Sequence, residues 1–392
     1  MMKILMLSDV YFPRVNGVST SIESFRGALE RLGHEVHLIC PRYMDHANED
    51  PRLWRIDSRG VLGDPEDRMM RYQAIMALAP SLHAIEFDLI HIHTPFVAHC
   101  AGVALSKRLG VPVVGTYHTL FEEYLHHYVP WLPRRSLRFA ARRFSVHQCH
   151  QLSAVVAPSS AMTTALSVYG VRSPIATIAT GLSLTHFVAQ TSGREFRERH
   201  GLPTQGRLLL FVGRAAYEKN IGFLIDMLPQ VRHLHPETHL VIVGEGPALA
   251  SLKQQAQQAG LSDAVHFLGY LPRDGALQDA YRAADAFVFA SRTETQGLVL
   301  LEAMALGTPV VSTAIMGTQD VLKQDEGCLI AEEHPARFAE HVSRLLSDDA
   351  LRATLTHRGQ AYAQRWNEDT KAEAMAALYE SQCPKAFASS PA

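Results

Sequence analysis

Two series of short apolar, β-branched runs, each run followed by a helix-period segment, predict an α/β protein of two Rossmann-like domains with parallel sheets. A polar, strand-poor stretch separates the series, and the 392 residues exceed what one hydrophobic core organises.

In the first series the runs are KILMLSDV, EVHLIC, LIHIH, VPVVGTYH, AVVAPS and PIATIATG. In the second they are RLLLFVGR, HLVIVGEG, VHFLGY, AFVFAS, PVVSTA and GCLIA. Such runs stay apolar throughout because a parallel sheet is covered on both faces. The break falls at 183–206, giving expected domains 1–185 and 186–365. From 366 to 392, RWNEDTKAEAMAALYE continues as a lone helix expected to pack back on the first domain, and KAFASSPA reads as a frayed tail. Ligands of open α/β sheets sit beyond the carboxyl ends of the strands, so two facing domains are expected to share one polar cleft.

Composition narrows the class. With 47% apolar and 19% charged residues the chain reads as soluble and globular, which excludes disordered and fibrous classes. Its 37 basic and 39 acidic side chains leave a net charge of −2, so no global field favours nucleic acid. The five cysteines are scattered, without a C-x-x-C pair, and read as reduced thiols of a cytoplasmic protein. MMKILMLSDV is too brief an apolar run for a signal peptide and reads as a strand. Without 18 consecutive apolar residues no transmembrane helix is expected, and any membrane contact is peripheral, on the inner face.

Chemistry is expected just after the strands. SRTETQGLVLLEAMALGTPVV places Glu294 in a loop and Glu302 eight positions on, inside an apolar helix opened by Gly297 and Leu298. That helix start offers backbone N–H groups to an anion such as a diphosphate, with the carboxylates near sugar or ribose hydroxyls. An N-terminal acid favoured by the helix dipole, followed by a satisfied core glutamate, gives the same pattern. In FVGRAAYEKN a strand ends at Arg214 and Lys219 follows near a helix start; the two are either surface cations or neutralisers of a departing diphosphate. Gly17, in the turn of YFPRVNGVSTSIESF, would let backbone approach a phosphate. His91 and His93 share a strand face and His118 ends a neighbouring strand. No Asp or Cys stands at ligand spacing, so hydrogen-bonded histidines lining a polar cleft are expected before a metal site. His126, His127, His147 and His150 read as surface or acceptor-side residues.

Residues 115–144 pass from a strand into a basic segment. After Trp131 and Leu132, Leu137, Ala141 and Phe144 share one helical face and Arg134, Arg138 and Arg142 another, with Arg135 and Arg143 beside them. This suits a helix on an anionic leaflet, contacting it through Trp131 and the five arginines. An ordinary surface helix with its apolar stripe on its own domain has the same pattern.

The E-x7-E spacing, the G-R-x-x-x-E-K-N segment, the NGVS loop and the strand-terminal histidine together resemble the retaining glycosyltransferases of family 4, over nearly the whole chain. The resemblance implies a GT-B fold and transfer of a hexose from a nucleotide diphosphate sugar with retention. It implies that Arg214 and Lys219 hold the donor diphosphate, that Glu294 contacts the sugar and Glu302 the ribose, and that His118 lies near the sugar. Gly17 would face the diphosphate, while backbone around Gly269 and Tyr270 would contact the base. The leaving diphosphate itself takes the acceptor proton in that family, so neither protein nucleophile, cofactor nor metal is implied. TYHTLFEEYLHHY, TETQGLVLLEAMA and GTQDVL resemble the glycolipid-forming branch, particularly diacylglycerol glucosyltransferases; GTQDVL stands where many relatives have G-G-x-P-E. The implied reaction is transfer from UDP-glucose to a lipid such as diacylglycerol. Phosphatidylinositol, lipopolysaccharide-type or soluble acceptors, a GDP-mannose donor, and a nucleotide-sugar epimerase of the same architecture remain alternatives, as does a non-catalytic sugar-nucleotide-binding protein.

Overall fold

The computed structural model describes residues 1–43, 50–61, 64–120, 133–183 and 189–383, with backbone only at 61, 64–67 and 134. The chain divides into two compact units, Met1–Gly181 with the segment from Glu368, and Leu182–Asn367. The sequence put these divisions after 185 and after 365.

The first unit has β1 (Lys3–Leu7), β2 (Glu35–Pro41), β3 (Leu53–Ile56), β4 (Ser58–Val61), β5 (Asp64–Met70), β6 (Leu89–Ile92), β7 (Val113–Thr116), β8 (Ala154–Ala157) and β9 (Ile175–Thr177). Seven of them form a parallel sheet in the order β3-β2-β1-β6-β7-β8-β9, while β4 and β5 pair as an antiparallel ribbon. Side-chain alternation along β1 feeds two cores: Ile4 and Met6 pack with Ile22, Phe25 and Leu29, whereas Leu5 and Leu7 pack with Ile39, Leu82 and Ile90. β3, β4 and β5 escaped the sequence reading. In LWRI the arginine interrupts the apolar run, as an edge strand permits, and the ribbon lies in polar sequence.

Helix Gly17–Arg31 follows β1, with the Asn16 side chain accepting from the backbone N–H groups of Val18 and Ser19. Against it lies the last helix, Glu368–Gln382. Arg31 pairs with Glu368 and Asp369 at 2.7 Å each, and Ser24 donates to Glu368 at 3.2 Å. Ala372, Met375 and Tyr379 enter the core shared with Ile4 and Phe25. Burying Met375 and Tyr379 contributes roughly 1.5–3 kcal/mol each, well above what exposed ion pairs supply. The tail expected at KAFASSPA lies outside the described residues.

The second unit contains β10 (Arg207–Val212), β11 (Thr238–Val243), β12 (Val265–Gly269), β13 (Ala286–Phe289), β14 (Val310–Ser312) and β15 (Cys328–Ile330). They form a parallel sheet ordered β12-β11-β10-β13-β14-β15. Phe211, Phe287 and Phe289 stack at its centre, with ring centres 5.7 and 5.9 Å apart. Strand order reverses between β1 and β6 in one unit and between β10 and β13 in the other. Those two reversals are where each sheet leaves a crevice for ligand.

Candidate active site

In the second unit β10 runs out through Gly213 to the half-buried Arg214, then a 3-10 turn Tyr217–Lys219. Asn220 follows with φ of 54°, and helix Ile221–Leu234 begins. Across the reversal, the loop after β13 carries Glu294. Lys219 Nζ donates to Glu294 Oε1 at 2.5 Å, and each side chain is 16% exposed. The structure thus joins two residues 75 positions apart in sequence. Asn220 Nδ2 ties the turn down, donating to Ala290 O and to Glu333 Oε1 at 3.2 Å each.

Gly317 supports Glu294 from the other side. Its N–H donates to Glu294 O at 2.9 Å, and a Cβ there would stand 2.1 Å from Thr295 O. No larger residue fits. The preceding Met316 has φ of 57°, a left-handed conformation that glycine adopts more readily. Gly297, at φ of 94°, opens helix Leu298–Ala305 without a side-chain cap. Gly269 ends β12 at φ of 69° and its carbonyl accepts from Gly244 N at 2.7 Å, while Tyr270 beyond it is 51% exposed.

Glu302 already has two partners within its own unit. It is 1% exposed, one carboxylate oxygen accepting from Arg273 and the other from the Tyr281 hydroxyl at 2.9 Å. Both oxygens are engaged, as in the satisfied core glutamate of the alternative reading, and each keeps a further lone pair. The reason lies in periodicity: position 302 falls on the buried face of a helix with Leu301 and Ala303 beside it. Arg273 and Tyr281 carried no motif, so sequence gave no sign of them.

At the reversal in the first unit stands Asp9, which the sequence reading passed over. It is 7% exposed, accepting from Thr94 Oγ1 at 2.8 Å and from Ala98 N at 3.1–3.2 Å. It therefore caps helix Val97–Leu109, which has no cap of its own. Burial pushes Asp9 up to about 6, against those hydrogen bonds. The polar residue breaking the apolar run of LMLSDV was the available signal. Gly17 is the first residue of its helix, its φ is not left-handed, and a Cβ there would meet nothing within 4 Å. Backbone torsion supplies no need for glycine at that position.

His91, His93 and His118 do come together. His91 is fully buried, its Nδ1 2.6 Å from the Tyr379 hydroxyl and its Nε2 2.8 Å from Thr116 Oγ1. Its ring stands 4.0 Å from that of His93, whose Nδ1 is 3.3 Å from His118 Nε2. With both its nitrogens hydrogen-bonded, His91 has none left for a metal. Burial lowers His91 to about 3, His118 to about 4 and His93 well below the ordinary imidazole range, so all three are neutral at pH 7. Of the other histidines, His147 and His150 are exposed, and His126 and His127 lie outside the described residues.

Helix Arg134–Cys149 buries part of its apolar stripe and leaves the rest exposed. Leu137 and Ala141 are buried on their own unit, but Phe144, expected beside them, is 42% exposed and Phe139 64%. Arg135, Arg138, Arg142 and Arg143 are exposed; Arg142 stands over the Tyr169 ring at 5.0 Å and Arg143 over Phe139 at 5.8 Å. Trp131 and Leu132 lie outside the described residues, and the Arg134 side chain with them. Among the described residues no helix is long and apolar enough to cross a membrane.

Two strand-order reversals of one kind, one of them carrying a lysine–glutamate pair, define a two-unit, doubly wound α/β scaffold. Residues 15–186 match the family model Glycosyltransferase Family 4, and residues 192–362 match Glycosyl transferases group 1. The alpha-monoglucosyldiacylglycerol synthase of Streptococcus pneumoniae is 34% identical over 79% of this chain and 71% of its own length. Its namesake from Acholeplasma laidlawii is 25% identical over 96% of both chains. Sucrose-phosphate synthase from Thermosynechococcus elongatus superposes with a TM-score of 0.78 at 23% identity, covering both chains completely. The chain belongs to the family 4, group 1 glycosyltransferases, has the GT-B fold and is a transferase enzyme.

Proposed function

We propose that this enzyme moves a hexose, glucose favoured, from a UDP-sugar to a lipid acceptor such as diacylglycerol, with retention of anomeric configuration. The observation that carries the reading is the Lys219–Glu294 pair at the β10/β13 reversal, in a chain similar to two synthases named for an alpha-glucosyl diacylglycerol product. On this reading Lys219 and Arg214 neutralise the donor diphosphate, helped by the backbone of Gly297 and Leu298. Lys219 then exchanges its bond to Glu294 for one to phosphate, which releases the carboxylate to a sugar hydroxyl. Gly269 and Tyr270 receive the base, Glu302 accepts from the ribose on a lone pair that Arg273 and Tyr281 leave unused, and Gly17 and His118 belong to the acceptor-side unit. Stabilising the departing diphosphate is the main catalytic term, since a preorganised donor facing developing charge is worth about 10²-fold or more. No metal takes part. The exposed arginines and phenylalanines of helix Arg134–Cys149 meet an anionic leaflet, each arginine contributing about 1 kcal/mol.

The test is nucleoside diphosphate release from a panel of UDP-, GDP- and ADP-sugars, with and without anionic liposomes containing diacylglycerol. Glu294→Ala serves as the control, and a chelator arm is included. Expected are dependence on one UDP-sugar and on liposomes, loss in the variant, indifference to chelator, and an alpha-linked product by the anomeric proton coupling. Release without lipid would move the acceptor into solution, and release without any acceptor would favour hydrolysis or the epimerase.

A further inference from the structure

We infer that His93 fixes His118 as its Nδ1-protonated tautomer, so that what His118 offers through Nδ1 is a hydrogen-bond donor, not an acceptor. The inference stands on ring geometry within the first unit and rests on the reading above only in its kinetic test.

His93 Nδ1 and His118 Nε2 stand 3.3 Å apart with the rings inclined by 23°, and between two neutral imidazoles at that distance lies one proton. Burial keeps both rings neutral at working pH. The proton has two possible owners. If His118 Nε2–H donates, His93 accepts at Nδ1 and must carry its own proton on Nε2. That nitrogen is buried, and it has no hydrogen-bond partner among the described residues. An orphaned N–H would then be sealed in the core. If His93 Nδ1–H donates instead, its Nε2 keeps only an unfilled lone pair. Buried N–H groups without an acceptor are rarer than under-used acceptors, so the second arrangement wins. His118 then accepts at Nε2, and its single proton sits on Nδ1.

His91 does not disturb this assignment. The Tyr379 hydroxyl is fully buried with His91 Nδ1 as its hydrogen-bond partner among the described residues, so its O–H donates there. The His91 proton is thereby placed on Nε2, toward Thr116 Oγ1. What His91 offers His93 is a ring face at 4.0 Å, not a proton. His93 is accordingly a positioning residue, setting which nitrogen of His118 carries the proton.

Histidine-selective 15N labelling of the full chain, read by long-range proton–nitrogen correlation, reports which ring nitrogen carries hydrogen; the His118→Gln spectrum identifies the His118 signals. The expected result is His118 protonated on Nδ1 and His93 on Nδ1. A proton on His118 Nε2, or on both of its nitrogens, overturns the inference. A kinetic arm uses His93→Leu, which deletes the donor, and His93→Asn, whose amide N–H stands close to the place of Nδ1–H. His93→Leu is expected to lower kcat about tenfold, the scale of one misdirected hydrogen bond, with donor KM little changed, and His93→Asn to restore most of that loss. Equal losses in both variants would overturn the donor role of His93. An Nδ1 proton in a chain that turns over no sugar nucleotide would leave the tautomer standing and sink the functional reading. An Nε2 proton in an active transferase would do the reverse.

Discussion

The two strand-order reversals have one topology and opposite electrostatics. At β1/β6 the first unit fills the start of helix Val97–Leu109 with its own carboxylate, Asp9 accepting from Ala98 N and Thr94. At β10/β13 the second unit ends its strand in Arg214, sets Lys219 against Glu294, and opens helix Leu298–Ala305 at Gly297 without a side-chain cap. A buried carboxylate repels a diphosphate, whereas an arginine at a strand end and a lysine that can leave its carboxylate partner suit one. Backbone strain divides the same way. Among the described residues, non-glycine positions with left-handed φ follow strand ends only in the second unit, at Asn220, Ala314 and Met316. In the first unit Glu86 is such a residue, but it precedes β6. Strain of this kind persists where surrounding structure holds it, and it clusters at functional sites. The contrast teaches that one topology supplies two equivalent reversals and that a few side chains set the electrostatics of each.

The largest effect expected concerns those side chains. Lys219→Ala is expected to lower kcat/KM about 10²-fold or more, through lost stabilisation of the leaving group. Asp9→Ala is expected to destabilise the first unit by about 1–2 kcal/mol, the usual cost of a lost helix cap, and to leave donor KM within about twofold. Calorimetry and steady-state kinetics on the two variants separate the roles. A donor-binding defect in Asp9→Ala of the size seen in Lys219→Ala would erase the distinction between the crevices.

Next in size is a pH dependence specific to the first unit. His91 and His118 are lowered from 6.5 to about 3 and about 4, so across that window the unfolded chain binds protons the native unit refuses, and stability falls as pH drops below about 6.5. Asp9 has the opposite sign. Raised from 3.8 to about 6, it is protonated first in the native state, and its contribution grows as pH falls through that range. Two histidines outweigh one carboxylate. The unfolding midpoint of the first unit is expected to drop between pH 7 and pH 4.5, and more steeply in Asp9→Asn; a flat profile would contradict the burial of these rings as neutral groups.

The smallest effect is local to the second unit. Met316→Gly relieves a left-handed torsion that glycine adopts freely, and the offsetting gain in unfolded-state entropy leaves a net stabilisation of up to about 1 kcal/mol. Urea unfolding of the variant measures it. A loss of stability would mean that Met316 contributes more by packing than its torsion costs.

Sequence alone determined the class of this protein. Twelve of its strands were legible as apolar runs, because a strand buried on both faces must be apolar along its length. The places of Glu294, Lys219, Arg214 and His118 at or beyond strand ends were legible because polar residues there interrupt such runs. Tertiary structure decided what no local pattern carries. It buried Glu302 between Arg273 and Tyr281, brought Tyr379 of the last helix onto His91, and seated Gly317 under the Glu294 loop. It also turned Phe139 and Phe144 outward while burying Leu137 and Ala141. Each of these pairings spans residues remote in sequence or depends on which helix face meets a neighbour. Local propensity and periodicity fix elements and their apolar faces, but the partner of a polar atom is set by the packing that brings distant elements together.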